Sequence, residues 1–244
     1  MHLESESDMS TAIWAIIYDL KTDGKDDYLR WFHKVHIPEK LARLGYDWAG
    51  HYQVLSQVGQ PASSQGSDGA DGCTGYVALF GGSDTSVFLN PSPAQLKSRQ
   101  TQETKEMIGR RIASRSFIAT TEWCYEVEKN APQHAHTAIL LMGCDVGPND
   151  EDFGAWCVQE LKSRLIIAGF QSGCKLLSAC GTVRHAILAG FSSIDVCLEF
   201  SQEPTQSEWS ERVHGYTSHM PGSPISAQRI WPSMETTGLP HPEI

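Results

Sequence analysis

The 244-residue sequence predicts an α+β fold made of two tandem units, each with the element order βαββαβ. Three observations carry that prediction. Short apolar runs of strand length alternate with amphipathic segments of helical period. The same order is then written a second time along the chain. The strands carry apolar residues at both parities, as Trp14 and Ile16 do beside Ile13 and Ile17, so both sheet faces need cover. A βαββαβ unit places both helices on one face of an antiparallel sheet, the ferredoxin-like arrangement. The second unit can cover the other face, with the two sheets packed face to face as an α+β barrel.

Ile13–Leu20 reads as the first strand, and "KTDGKDD" as a turn into an acidic helix start. Tyr28, Trp31, Phe32 and Val35 share one face of a regular helical wheel, and that helix ends near Gly45. "YDWAGHYQVL" alternates as a strand; Tyr46, Trp48, Tyr52 and Val54 fall on one face, Asp47, Ala49, His51 and Gln53 on the other. A Gly- and Ser-rich loop, from Gln57 to Gly75, leads into "GYVALFGG" as a third strand. One long second helix, "SPAQLKSRQTQETKEMIGRRI", and a fourth strand, "RSFIATTEWCYEV", complete the unit.

The second copy starts at "TAILLMGCD". Its helix places Asp152-Phe153-Gly154-Ala155-Trp156 over Asp27-Tyr28-Leu29-Arg30-Trp31, and Gly169-Phe170 over Gly45-Tyr46. "HAILAGFSS", "EPTQSEWSERV" and "SAQRIWPSM" supply its third strand, second helix and last strand. The expected organisation is a polar tail (1–11), a first repeat (12–128), a linker near Glu128–Gln133, a second repeat (134–232) and a C-terminal tail (233–244).

The formal net charge is -10 and no dense Lys/Arg block occurs, which argues against nucleic acid or an anionic membrane as partner. No apolar stretch approaches the roughly 20 residues needed to span a bilayer, and the start "MHLESESDMS" lacks the basic and apolar parts of a secretory signal. The seven cysteines form no C-x-x-C pair, so the expectation is reduced, buried thiols in a cytoplasmic protein, with no zinc site.

The richest stretch is "YLRWFHKVHIPEKLARLGYDWAGHYQV". On a straight wheel centred on Tyr28, His36 lies roughly 80° away at the border, and His33 roughly 140° away toward water. Pro38 is expected to kink the helix there. His33, His36 and Glu39 lack the i, i+4 spacing of a helical metal pair, so no metal is expected. Trp31, His36-Ile37-Pro38, Leu41, Leu44 and Gly45-Tyr46, together with the element order, resemble the dimeric α+β barrel superfamily, in particular its EthD-like and antibiotic-biosynthesis-monooxygenase-like branches. The superfamily holds cofactor-free monooxygenases, lactone isomerases, polyketide cyclases, haem-related peroxidases and members without known activity, so fold alone does not fix chemistry. The resemblance implies a cleft between sheet and helices lined by a histidine of the first helix.

The resulting expectation is an enzyme without a bound organic cofactor. It performs isomerisation, cyclisation, dehydration or elimination on a small apolar, aromatic or cyclic substrate. His36 serves as general acid or base near neutrality, with Tyr46, Tyr52 or His51 donating to the oxyanion. Trp31, Trp48, Tyr52, Trp123 and His185 are the candidate substrate-binding residues, Trp123 and Tyr125 extending an aromatic wall and His185 reaching in from the second sheet. The second copy carries Val158, Leu161, Ser172, Lys175 and Leu176 where the first has His33, His36, Trp48, His51 and Tyr52, which points to a site in the first repeat alone. His134 and His136 are expected at the surface. The alternatives are a non-catalytic small-molecule binder, a monooxygenase using the same pocket, and a haem protein with an axial histidine; a homodimer is allowed.

Overall fold

Strand β1 (Ala12–Lys21) is the axis of the first half, because its apolar residues at both parities bury it on both faces. It pairs antiparallel with β3 (Cys73–Gly82) and β4 (Ile112–Glu126), and β3 pairs with β2 (Tyr46–Gln57), giving the order β4-β1-β3-β2. The second half repeats this with β5 (Ala138–Asp145), β6 (Phe170–Gly181), β7 (His185–Phe191) and β9 (Ile225–Trp231), in the order β9-β5-β7-β6. The halves are joined by hydrogen-bonded seams between β4 and β6 and between β2 and β9. The eight strands thus close into one barrel, so the two expected sheets are continuous with each other rather than separate layers. A two-residue strand, β8 (Ser218–His219), adds to β5. This computed structural model describes residues 11–57, 73–127, 136–167, 169–202 and 207–233. The polar tails, the linker near 128–133 and nearly all of the Gly- and Ser-rich loop lie outside the described residues.

Strand parity sorts the side chains into three cores. Ile13, Ile17, Val77, Leu79, Phe117, Leu141, Leu176 and Leu188 fill the barrel. Trp14, Tyr18, Phe80 and Ile118 face outward against the first-half helices, and Leu140, Ile187 and Phe191 do the same in the second half. One glycine is required by packing: a Cβ on Gly81 would lie 1.9 Å from the Trp48 indole nitrogen inside the barrel. Its counterpart Gly190 makes room for the ring of His136, 2.2 Å from where its Cβ would be. His136 is therefore not at the surface as expected: it is buried and bonds the Ser172 hydroxyl through Nε2 at 2.7 Å.

The first helix runs as α1 (Lys25–Trp31), a π turn (Phe32–His36) and α2 (Ile37–Leu41) without a break. The second half has the same sequence of elements in α6 (Asp150–Trp156), a π turn (Cys157–Leu161) and α7 (Lys162–Leu165). No proline follows the second π turn, so the turn belongs to the repeated unit and is not the work of Pro38. A π turn holds about one extra residue, which sets every later side chain back by roughly 100°. Val35, expected inward, is therefore 37% exposed, while His36 and Lys40 turn into the core. The expected long second helix is three pieces: α3 (Ser86–Leu89), α4 (Pro93–Lys97) and α5 (Gln102–Gly109). In the second half α8 (Ile194–Gln202) was not legible as an element, and it precedes α9 (Glu208–Tyr216).

The cysteine expectation needs correction at one pair. Cys124 of β4 and Cys174 of β6 stand opposite each other at the seam and form a disulfide facing the barrel core. The two residues lie 50 positions apart and in different repeats, so no local spacing marked them. Cys144, Cys157 and Cys197 are free and buried, as expected. No described helix is long and apolar enough to cross a membrane.

Candidate functional site

A cleft of about 580 Å³ opens beside the C-terminal part of the first helix. One wall is α2 and its exit, with His36, Lys40, Arg43 and Tyr46; the other is the α3–α5 segment, with Val87, Leu96, Arg99, Thr101 and Thr104. Local chemistry fixes both walls. Gly45, at φ +84°, turns the chain from α2 into β2, and a Cβ there would meet Val87 at 2.6 Å. On the far wall a capping box joins Ser92 and Gln95 at the start of α4, and the Thr101 hydroxyl accepts the Thr104 amide at 3.1 Å to start α5.

Three features of the α2 wall bear on chemistry. The His36 ring lies between Trp31 and Phe32, with centroids 4.8 and 5.5 Å away. Burial first, then the charges of Lys40, Arg111 and Arg43, pull its pKa down to about 3, so the imidazole is neutral at any physiological pH. Its Nδ1 is buried without a partner. An orphaned acceptor costs less than an orphaned donor, so the proton belongs on Nε2. Lys40, 7% exposed, lies 4.9 Å above the Trp14 ring. Burial first, then Arg43 and Arg111, lower its pKa to about 7 against a weak opposing pull from Glu39. The Tyr46 phenol, its pKa raised by burial, is hydrogen-bonded by Arg43.

Behind Phe32 runs a buried chain of hydrogen bonds. His33 Nε2 meets His51 Nδ1 at 2.7 Å, and His51 Nε2 meets the Tyr18 hydroxyl at 2.8 Å. The Tyr18 and Tyr28 hydroxyls are bonded, and Arg111 Nε donates to Tyr28 at 2.7 Å. With His33 Nε2 donating to His51 Nδ1 and His51 Nε2 donating to the Tyr18 hydroxyl, both links are satisfied with both imidazoles neutral. Burial lowers His51 well below its ordinary value, with His33 and Arg111 adding to it, and burial brings His33 to about 4.

The structure separates the sequence candidates into several places. His36, Tyr46 and the buried Trp31, whose ring packs on His36, gather at or beside the cleft. His51 lies behind them in the hydrogen-bonded chain, and His33 joins it instead of facing water. Trp48 and Tyr52 are inside the barrel, on the opposite face of β2 from His51. Tyr46 does not share their face, because a bulge between Tyr46 and Trp48 shifts the alternation by one residue. Trp123 packs with the second-half core, after a register shift in β4 between Thr121 and Trp123. His185 also stays in the second half. It bonds Asp150 at 2.8 Å and lies 3.5 Å from the Lys175 ammonium, which pairs with Glu122. The second copy thus has a polar cluster of its own, built from Lys175, His185, Glu122 and Asp150 in place of the imidazole and aromatic set of the first. Lys40 went unnoticed in the sequence. Its signal was the i, i+4 relation to His36, which the straight wheel weakened.

Searches against protein-family models and against curated proteins find no match. Solved structures do match over most of their length. An anthrone oxidase-like protein superposes at TM-score 0.55 with 10% identity, covering 91% of this chain and 92% of its own. A candidate monooxygenase from Fusobacterium nucleatum subsp. nucleatum gives 0.55 with 12% identity, covering 90% and 92%. A heme-binding protein from Thermus thermophilus gives 0.51 with 10% identity, covering 90% and 91%. Likeness at this identity speaks for the fold alone. What these structures share with the chain is its fold, an α+β barrel, here with both ferredoxin-like halves on one polypeptide.

Proposed function

We propose that the protein is an enzyme that moves a proton on a small cyclic or aromatic substrate bound in the cleft beside α2. The observation that carries this reading is the pairing of a lysine brought to about 7 with an imidazole held neutral on the same wall. A base acts best when its pKa lies near the working pH, and Lys40 meets that condition where His36, at about 3, does not. In this reading Lys40, as the free amine, takes the proton from an acidic C–H or O–H. The Nε2–H of His36 donates to the oxygen on which negative charge develops, and Arg43 adds a fixed positive charge nearby. Leu96, Val87 and Tyr46 supply apolar contact for a flat substrate body. His51 becomes a positioning residue that holds Tyr18 and His33 in the layer behind His36.

The names of the neighbours raise haem as an alternative, and the residues here do not fit it. Both ring nitrogens of His51 are hydrogen-bonded, and His33 Nε2 is committed to His51. His36 is surrounded by Lys40, Arg43 and Arg111, and the cleft carries Arg99, Thr101 and Thr104 where a macrocycle needs an apolar wall. The test of the proton-transfer reading is solvent-deuterium exchange into a panel of small cyclic ketones and phenols. Wild type should exchange at least one of them with a rate that rises through pH 7. Lys40→Met should lose roughly 10²–10⁴-fold. No exchange above the buffer rate for the whole panel would leave a binding protein as the better account.

A further inference from the structure

We propose that Lys40 is also a nucleophile: its amine captures a small carbonyl compound bearing an anionic group, holding it in the cleft as an imine. The inference rests on the reading of the cleft as the substrate site, but not on which proton is moved there.

Lysine is almost never buried unless it is paired. Lys40 is buried, and among the described residues no carboxylate forms an ion pair with it. Its amine lies over the Trp14 ring, 4.9 Å from the centroid, and the residue lines the cleft. Arg43 and Arg111 act on it as like charges, which favours the neutral, nucleophilic form. The Trp14 ring is a favourable partner for the ammonium, but it does not neutralise the charge as a carboxylate would. The other buried lysine, Lys175, shows that contrast, since it is neutralised by Glu122.

The step balances without an oxidant or reductant. The amine lone pair attacks the carbonyl carbon, and the C=O π pair moves to oxygen, to which the Nε2–H of His36 on the same wall would donate. A proton shifts from nitrogen to oxygen, and the carbinolamine then expels one water as the C=N bond forms. Arg43 and Arg99, both on the cleft walls, would hold a carboxylate on the captured molecule.

The test is reductive trapping of the full-length protein with 4-formylbenzoate and cyanoborohydride, read by peptide mapping. The expected result is a dominant adduct on Lys40. At pH 7 it should form at least about tenfold faster than adducts on the exposed Lys34, Lys97 and Lys105, since an ordinary lysine is almost wholly protonated there. Neutral benzaldehyde should label Lys40 more slowly than the carboxylate probe. Lys40→Arg, which keeps the charge, should leave only the surface adducts. The inference is overturned if Lys40 in the wild type labels no faster than those three surface lysines, a result that does not depend on whether any variant folds. Turnover is not measured in this experiment, so failure of the proton-transfer reading would leave its outcome unchanged.

Discussion

His33, His36 and His51 are three imidazoles kept neutral by burial within one layer of the first half. Each has a folded pKa below the ordinary value of about 6.5, with His36 near 3 and His33 near 4. Unfolding releases them to bind protons in acid, so the unfolded chain holds more protons than the native one as pH falls below about 6.5. Their contribution is complete above that pH and is lost progressively toward pH 4. Urea midpoints measured from pH 7 to pH 4 should therefore fall steeply, and His36→Gln should flatten the slope. Lys40 has the same sign at higher pH: its folded value near 7 lies below its ordinary value, so stability rises between about pH 7 and pH 10. Lys40→Met keeps the volume and removes the buried ammonium. That variant should melt higher than wild type at pH 6, converge with it near pH 10, and be catalytically weak. A stabilised but inactive variant is the mark of a residue retained for chemistry.

At the level of elements, the two π turns and the two barrel glycines explain where the sequence could be read and where it could not. Strand and helix order followed from periodicity, because burial on one face leaves a period in the sequence. A π turn leaves no such mark. Past Phe32 the straight wheel placed Val35 inside and His33 outside, and both were wrong by the one residue that the turn inserts. The bulge at Asp47 likewise moved Tyr46 off the Trp48 face, which is why a cleft tyrosine was grouped with two barrel residues. The motif residues His36 and Tyr46 were legible, while the Lys40 amine and the hydrogen-bonded chain through Tyr18 and Arg111 needed the strands assembled. Gly81 permits a direct test of the barrel packing. Gly81→Ala drives a methyl into the Trp48 indole and should cost roughly 1–3 kcal/mol in chemical denaturation. Gly109→Ala, with open space around its Cβ, should change stability by no more than about 0.5 kcal/mol.

Across the whole molecule, closure of the barrel within one chain makes the two halves unequal partners. The first carries the cleft of about 580 Å³, the neutral imidazoles and a buried lysine with no carboxylate ion pair among the described residues; the second carries a paired lysine at the place of His51 and a histidine bound to Asp150. The seams are unequal too. The β4–β6 seam holds the Cys124–Cys174 bridge, which closes a loop of about 50 residues and restricts the unfolded chain by about 4 kcal/mol on the loop-entropy scale. The β2–β9 seam, with two register shifts like the other, is held by hydrogen bonds and side-chain packing alone. A ring with one covalent clasp opens at the other joint. Amide exchange under native conditions should therefore release β9 and the outer edge of β2 before β4 and β6, and the Cys124→Ser, Cys174→Ser double variant should erase that order. His51 and Tyr52 lie on the opening side, paired with Trp231 and Arg229 across the weaker joint, so the layer behind the cleft is fastened to the part of the wall that gives way first.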